Sequence, residues 1–333
     1  MSITFQLPPA NEAKTAPERR GLARDGVRLL VTEASTATHR DATFRELPAF
    51  LRPGDLLVVN DSATLPAALA ATASDGRLVP LHLSTHISNE LWLAEPRAPV
   101  TAGERATLAD GASATFIAPV DAAKPRLWYT ALTLEQPVFA YLMKHGKPIR
   151  YNYVTEPLAL ADYQTMFARV LGSAEMPSAG RPFTPRVVIA LQARGIGLAA
   201  ITLHTGVSSA ERDERPYSER FAVSAACAAA VNAARCAGGR VIAVGTTVVR
   251  ALESAVLEGE AAATRDWTDL IVTPKHQLRL VDGLLTGLHE PASSHLDLLR
   301  AFLNSSALRA AYGHARDAGY LWHELGDVHL ILP

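Results

Sequence analysis

The chain has 333 residues, of which 48% are hydrophobic and 20% charged, and its formal net charge is −1. This composition is typical of a folded water-soluble protein with two domains, or with one large domain that carries an insert. The small net charge excludes a globally basic surface for nucleic acid, so any phosphate contact needs a local patch. Neither a signal peptide nor an apolar run of membrane length is visible, which favours a cytoplasmic protein.

The first candidate site residues are two polar residues, Asn60 and Asp61, at the end of a predicted strand. Val27 to Val31 is predicted to be a strand, and Ala42 to Leu51 a short helix or an extended connection. A turn at Pro53-Gly54 then leads into a buried strand that ends at Asn60 and Asp61. Ligands of α/β sheets gather at the carboxyl ends of strands, so both residues are candidate site residues. The alternative is a simple Asn-Asp turn.

Residues 65 to 154 differ in character from the rest of the chain. Short strand-like runs alternate there with turn residues at Gly103-Glu104 and Asp110-Gly111, and Val138 to His145 is predicted to be a helix. Such spacing predicts a small antiparallel β-barrel. The predicted fold class is therefore α/β: a mixed-sheet core domain of residues 1–64 and 155–333, interrupted by an inserted barrel domain of residues 65–154.

The second half of the core begins with another helix and strand. Thr184 and Pro185 are predicted to start a helix, and the strand Leu198 to Leu203 ends at His204, a further candidate. Residues 211–215 alternate in charge and are predicted to be a solvated loop. Ser224 to Ala237 is predicted to be an alanine-rich helix. It contains the two cysteines, whose spacing fits no metal site.

A strand–turn–helix at residues 239–254 carries the clearest anion-binding pattern. Val241 to Val244 is a short buried strand, Gly245 ends it, and Thr246 can cap a helix that begins at Thr247. The free amide groups at such a helix start bind a carboxylate or a phosphate. Arg250, one turn further on, can clamp the same anion. The alternative is an ordinary connection with a surface arginine.

The C-terminal part contains the remaining candidates. Residues 267–274 are predicted to be a buried strand and residues 278–286 a hairpin that turns at Asp282-Gly283. His289 precedes a helix begun by Ser293 or Ser294, and a last helix and the strand Val328 to Leu332 follow. The other histidines show no ligand spacing and are interpreted as incidental: His82, His86, His276, His295, His314, His323 and His329.

Taken together, the chain resembles the S-adenosylmethionine:tRNA ribosyltransferase-isomerase family of queuosine biosynthesis over nearly its whole length. The stretches that carry the resemblance are Arg52–Asp61, Tyr163–Thr165, Ala179-Gly180 with Phe183-Thr184, Thr202–His204, Gly245–Thr247 with Arg250 and Leu252–Ser254, Trp267–Asp269, and Val281–Thr286. The resemblance implies an α/β core with a β-barrel insert. It also implies transfer and isomerisation of the ribosyl group of S-adenosylmethionine onto the aminomethyl group of a 7-deazaguanine base in tRNA, without a metal ion.

The implied chemistry assigns roles to the candidates. Proton transfer needs a titratable group, and the candidates are Asp61, Asp269, Asp282 and His289. The donor, S-adenosylmethionine, is expected to contact Asn60, His204, Gly245, Thr246, Thr247 and Arg250. The expected partners are S-adenosylmethionine and tRNA carrying the 7-deazaguanine base. A monomer is favoured.

Several acceptor-side segments depart from the family pattern. The family's Leu-His after Ala-Gly is Arg181-Pro182 here, and its Met-His before Ser-Glu is Pro216-Tyr217. Its Asn-Phe-His-Leu-Pro-Lys has become residues 287–292, with Glu290 and without the lysine. Two other readings therefore stay open. One is a divergent enzyme that uses S-adenosylmethionine on a non-tRNA acceptor, and the other is a non-catalytic paralogue.

Overall fold

The computed structural model describes residues 3–88, 90–207 and 217–333. Its strands are β1 Arg28–Glu33, β2 Thr38–Thr43, β3 Leu56–Asn60, β4 Ser62–Thr64, β5 Ala68–Leu69, β6 Thr72–Ala73, β7 Leu81–His86, β8 Leu91–Pro96, β9 Arg105–Thr107, β10 Ser113–Pro119, β11 Trp128–Thr133, β12 Val170–Ser173, β13 Gly197–Leu203, β14 Glu219–Val223, β15 Val241–Val244, β16 Val256–Leu257, β17 Glu260–Ala261, β18 Thr264–Thr268, β19 Gly283–Gly287 and β20 Val328–Leu332. Its α-helices are α1 Leu47–Phe50, α2 Val138–His145, α3 Pro185–Ala193, α4 Ala225–Cys236, α5 Thr246–Ser254, α6 Ser294–Leu299 and α7 Ser305–Asp317.

A mixed nine-stranded sheet forms the centre of the fold, in the order β18-β14-β13-β3-β15-β19-β20-β1-β2. Its four middle strands β13, β3, β15 and β19 are parallel to one another. Their residues alternate between two layers, because successive side chains of a strand point to opposite faces. Leu56 and Val58 pack in the cluster that contains residues of α4, α5 and α7. Leu57 and Val59 pack in the cluster that contains residues of α3.

A second sheet of seven antiparallel strands is built from residues 68–133, in the order β5-β7-β8-β11-β10-β9-β6. Its two edge strands, β5 and β6, are separated by only two residues of the chain, so the sheet curls on itself. Its own apolar cluster includes Trp92 and Phe116 and receives Tyr141 and Leu142 from α2. The sequence prediction of strands and a terminal helix in this region is confirmed.

The helix start predicted at Thr184 and Pro185 is confirmed as well. Helix α3 begins at Pro185, and the Thr184 side chain accepts a hydrogen bond from the Val187 amide. Helix α4 is capped in the same way by Ser224. The predicted solvated loop at 211–215 and the departure at Pro216 lie outside the described residues.

Three sequence expectations were wrong. Helix α5 begins at Thr246 rather than Thr247, because Gly245 adopts a φ of 102° and itself occupies the cap position. Residues 269–274 are not a strand, since the carbonyls of Thr268 and Leu270 accept hydrogen bonds from Arg250 after β18 has ended. No hairpin turns at Asp282-Gly283 either. Strand β19 starts at Gly283 and pairs in parallel with β15, and residues 278–282 lead into it as an irregular segment.

Candidate active site

The polar candidates gather at the carboxyl edge of the nine-stranded sheet. Strands β13, β3, β15 and β19 are parallel, so their carboxyl ends share this edge. Strand β18 points the same way, because it is antiparallel to β14, which is antiparallel to β13. The residues that follow these strands are His204, Asp61, Gly245, His289 and Asp269. Such an edge is the usual ligand position in α/β sheets.

Asn60 ties two of these strands together. Its Nδ2 donates to the Leu203 carbonyl at 2.8 Å, and its Oδ1 accepts from the amides of Leu203 at 3.0 Å and Ser62 at 3.1 Å. The side chain is only 3% exposed. Because both lone pairs of Oδ1 already have partners, Asn60 positions the edge rather than offering an acceptor to a ligand.

Asp61 is a buried carboxylate at the same edge. Its Oδ1 accepts a hydrogen bond from the Thr202 hydroxyl at 2.6 Å, and its Oδ2 lies 3.8 Å from Nε of the exposed Arg169. The amides of Arg169 and Val170 both donate to the Asp61 carbonyl, which holds this loop above the residue. The carboxylate therefore has one close hydroxyl donor and one loose, solvated cation.

Among the described residues, His204 has a hydrogen-bond partner at one ring nitrogen only. Its Nδ1 lies 2.8 Å from Ser62 Oγ, which lies 2.6 Å from Ser173 Oγ. Burial lowers the pKa of His204 to about 4, and the nearby Arg220 charge lowers it further while Asp61 opposes both. The imidazole is therefore uncharged at neutral pH. The ring lies directly against Gly172, where a Cβ would come within 2.4 Å of Nδ1.

A cleft of about 280 Å³ opens in front of His204, between the two sheets. The curled sheet and helix α2 line one side, and strand β12 together with the β13–β14 region lines the other. The lining residues are Ser84, Thr85, His86, Phe139, Leu171, Gly172, His204 and Arg220. His86 stacks on Trp92 with 4.6 Å between ring centroids, and Arg220 lies 5.0 Å from the centre of the Trp267 ring.

Helix α5 points its first amides out of the same edge. The amide of Gly245 donates to the Leu285 carbonyl, and its left-handed backbone turns the chain abruptly into the helix. A Cβ on Gly245 would lie 3.5 Å from that of Ala179, so the 178–180 turn covers this helix start closely. The Gly245 amide is therefore engaged, and the amides of Thr246 and Thr247 are the ones at this helix start that can meet a carboxylate or a phosphate.

Arg250 makes four hydrogen bonds to other described residues. It is 7% exposed, and its guanidinium donates to the carbonyls of Leu270 at 2.9 Å, Thr268 at 3.1 Å and Tyr217 at 3.4 Å. It also forms an ion pair with the Glu219 carboxylate, which accepts from the Gly206 amide at 3.0 Å. A ligand carboxylate would have to displace Glu219, so these contacts favour a positioning role over the expected direct anchor.

His289 lies beside β19 in a group of uncharged histidines. Its Nε2 is 2.8 Å from Thr286 Oγ1, and its ring stacks on His295 at 4.6 Å with parallel planes. Burial holds the pKa of His289 well below its ordinary value, and His295, His323 and His329 lower it further. At neutral pH it can exchange hydrogen bonds but carries no charge.

The two remaining acidic candidates, Asp269 and Asp282, lie at opposite edges of the large sheet. Asp269 is exposed and follows β18 at the carboxyl edge. Asp282 is also exposed, but its Oδ2 accepts from the Val241 amide at 2.8 Å, at the amino end of β15. The four residues of β15, roughly 13 Å of strand, separate it from the other candidates. The structure therefore does not bring Asp282 to the site, because the expected hairpin is absent.

Comparison with known proteins gives the family. A family model described as "Queuosine biosynthesis protein" matches residues 1–331. The chain belongs to this family. The S-adenosylmethionine:tRNA ribosyltransferase-isomerases of Moorella thermoacetica and Acidiphilium cryptum are each 35% identical to it, over 98% of this chain and 98% and 97% of theirs. The crystal structure of S-adenosylmethionine tRNA ribosyltransferase from Thermotoga maritima covers 99% of both chains, with 26% identity and a TM-score of 0.58.

Several residues at the site of this queuosine biosynthesis protein were missed or dismissed in the sequence. Ser173, Phe139 and Arg220 were not singled out, and His86 and His295 were interpreted as incidental. Each comes from a different element, so no local spacing connects it with His204 or His289. Ser62 alone had an available signal, since it directly follows Asn60 and Asp61.

Among residues 3–88, 90–207 and 217–333, no three His, Cys, Asp or Glu side chains are grouped so that they can hold a metal ion. In the same ranges, no helix is both long and apolar enough to cross a membrane.

Proposed function

We propose that this chain is an S-adenosylmethionine:tRNA ribosyltransferase-isomerase. It would transfer the ribosyl group of S-adenosylmethionine to the aminomethyl group of a 7-deazaguanine base in tRNA, rearrange that group, and release adenine and methionine. The full-length match to enzymes of this name, at 35% identity over 98% of the chain, carries the proposal. S-adenosylmethionine is a substrate here, and the proposal involves no metal ion. A cytoplasmic monomer stays a prediction.

The reaction would take place in the cleft between the proposed core, residues 1–64 and 155–333, and the proposed inserted barrel, residues 65–154. The first amides of α5 are the anchor for the methionine carboxylate, because they meet an anion without displacing another group. Arg250 supports them by fixing α5 through Glu219. Asp61 is the base for the proton beside the sulfonium, since its carboxylate is buried and lies next to His204.

One observation favours a second candidate, a transferase that uses the same donor on a non-tRNA acceptor. Arg220 is the one charged side chain among the eight described residues that line the cleft. A tRNA backbone needs several such cations, so this lining suits a free 7-deazapurine or another amine better. The open volume of the cleft disfavours the non-catalytic paralogue, for which a filled pocket is expected.

The test is a product assay for adenine and methionine with three acceptors: tRNA carrying the aminomethyl-7-deazaguanine base, the same tRNA with guanine, and the free base. Release of both products only with the modified tRNA supports the proposal. Release with the free base alone supports the second candidate. No release with any acceptor, from protein that still binds S-adenosylmethionine, contradicts both.

Asp61→Asn sharpens the assay, because it keeps the shape and the Thr202 hydrogen bond while it removes the charge. A general base contributes about 10²–10⁴-fold, so we expect a loss of that order in turnover with little change in donor binding. Asp317→Asn is the matched control, since Asp317 is exposed and pairs with the adjacent Arg316. If Asp61→Asn shows normal turnover, Asp61 is not the general base.

A further inference from the structure

A chain of hydroxyl groups runs behind the His204 ring. The Thr205 amide donates to Ser173 Oγ at 3.0 Å, Ser173 Oγ lies 2.6 Å from Ser62 Oγ, and Ser62 Oγ lies 2.8 Å from Nδ1 of His204. Ser62 and Ser173 are both 0% exposed. No water can therefore supply a missing donor or acceptor, and the protons of the two hydroxyls have to follow the protein partners.

Only one direction of this chain satisfies every group. If Ser173 donates to Ser62 and Ser62 donates to Nδ1, each hydroxyl gives one hydrogen bond and accepts one. In the reverse direction, Nδ1 donates to Ser62 and Ser62 to Ser173, and the Ser173 proton then has no acceptor among the described residues. An unsatisfied buried donor costs about 1–3 kcal/mol. The first direction is therefore preferred, and it leaves the ring proton on Nε2.

Nε2 is the nitrogen of His204 without a hydrogen bond to any described residue, and His204 lines the cleft. Gly172 lets the ring lie flat against the backbone, because any Cβ there would overlap it. Across the cleft, His86 and Phe139 form an aromatic wall, with Trp92 stacked behind His86. One fixed N–H donor beside an aromatic wall suits a flat heterocycle with an acceptor on its edge.

We propose that the cleft binds a purine-type base, and that Ser62 and Ser173 hold His204 as the Nε2–H tautomer, which donates a hydrogen bond to an acceptor on that base. The inference deepens the proposed function and rests on it, because both the adenine of the donor and the 7-deazaguanine of the acceptor are bases of this type. His204 is the binding residue, and the two serines are positioning residues. Since burial, with a smaller contribution from the Arg220 charge, lowers the pKa of the ring and keeps it uncharged, the tautomer alone decides what His204 offers.

The tautomer can be measured directly by ¹⁵N NMR of histidine-labelled protein at pH 7, where the protonated and bare ring nitrogens have well-separated shifts. We expect His204 to carry its proton on Nε2. Ser173→Ala should give a mixture of the two tautomers, because Ser62 can then turn either way. A proton on Nδ1 in the unaltered protein, or an unchanged signal in Ser173→Ala, overturns the positioning role. This readout does not depend on any enzymatic activity.

Binding of the base is tested by calorimetric titration with S-adenosylhomocysteine and, separately, with an anticodon stem-loop carrying the modified base. His204→Asn keeps a partner for Ser62 but removes the donor from the cleft, whereas His204→Gln can place an amide N–H near the position of Nε2. We expect His204→Asn to bind one of the two ligands about tenfold more weakly than the unaltered protein does. His204→Gln should bind that ligand with a smaller loss of affinity. His314→Asn, at a half-buried histidine that is paired with Asp41 and lies outside the cleft lining, is the matched control.

A weaker S-adenosylhomocysteine complex identifies the bound base as adenine, and a weaker stem-loop complex identifies it as the 7-deazaguanine. If His204→Asn binds both ligands as tightly as the unaltered protein does, the base-binding role of His204 is wrong while the proposed function stands. If the unaltered protein binds neither ligand, both proposals fail. If it binds them but releases no products, only the proposed function fails.

Discussion

Two polar clusters lie at the same edge of the large sheet, and they differ in how many of their groups are already satisfied. Around Arg250, the guanidinium has three backbone carbonyls and the Glu219 carboxylate as partners, and Glu219 also receives the Gly206 amide. Around His204, one ring nitrogen is engaged and the other lies at an open cleft. Arg250 and His204 were both predicted to bind the donor.

A position at a strand end identifies a residue as a candidate for ligand binding. The hydrogen-bond partners that the residue already has in the protein then distinguish a structural role from a binding role. A buried charge needs its partner for stability, so the Arg250–Glu219 pair acts first on the fold. A polar group that faces free space has an unused hydrogen bond, and a ligand can supply what is missing. Changes in the first cluster should therefore appear mainly in stability, and changes in the second mainly in binding or turnover.

Arg250→Ala should have the largest effect on stability. It leaves the Glu219 carboxylate, whose side chain is 14% exposed, without its cation. Breaking a fully buried pair typically costs about 3–5 kcal/mol, so we expect a loss near the lower end of that range. The free energy of unfolding in urea measures the loss. Arg250→Met combined with Glu219→Leu removes both charges and should recover part of it. A loss below about 1 kcal/mol, together with abolished S-adenosylmethionine binding, would instead restore Arg250 as the direct anchor.

Gly172→Ala should mainly affect the cleft. The new methyl group would lie within 2.4 Å of the His204 ring and push it out of line with Ser62. A displacement of about 1 Å at a site can lower the reaction rate about 100-fold, and we expect a loss of that order in the rate at which adenine and methionine are formed. Gly313→Ala in α7 is the control. Its Cβ meets nothing within 4 Å, so it should keep full turnover and gain about 0.5–1 kcal/mol of stability.

The buried histidines predict a loss of stability in mild acid. Burial lowers the pKa of His204 to about 4 and that of the fully buried His329 to about 3. Between these values and the ordinary value of 6.5, the unfolded chain binds more protons than the folded one. The stabilisation that these histidines contribute should therefore be complete above about pH 6.5. As the pH drops below that value, the free energy of unfolding should fall by up to about 1.4 kcal/mol per pH unit for each such histidine.

Urea unfolding at a series of pH values between 7 and 4 measures this slope. His329→Gln should flatten it, because His329 lies in the core, bonded through Nε2 to Thr32. A free energy that stays constant across this range contradicts the assignment of these histidines as buried and uncharged. The pH dependence of turnover should reflect His204 rather than His329, because His204 faces the cleft.

Arg220→Gln should have the smallest effect on the fold. Among the described residues, the guanidinium donates to the Ile87 carbonyl at 3.3 Å and lies over the face of Trp267, so we expect a stability change within about 1 kcal/mol. If Arg220 contacts a phosphate of tRNA, the variant should bind the modified stem-loop about tenfold more weakly, with a salt dependence reduced by about one charge. An unchanged salt dependence, measured by titration at several salt concentrations, places Arg220 away from the phosphates.

Local patterns predicted much of the framework. The runs at Leu56–Asn60 and Val241–Val244 became central strands, and Thr184 and Ser224 became helix caps, because burial periodicity and capping act over a few residues. The carboxyl-edge positions of Asp61, Gly245 and His204 follow from the same logic. Motif order over the chain indicated the family that the comparisons then showed.

The sequence by itself determined which residues end each strand, since that depends on neighbours along the chain. Tertiary structure alone decided which of those residues meet. It placed Asp282 at the far edge, because β19 pairs in parallel with β15, and it gave Arg250 of helix α5 its partner Glu219 from strand β14. It also brought Ser173 and His86 to His204 from separate elements. Such contacts join residues that are far apart along the chain, and only the packing of both sheets sets the distances between them.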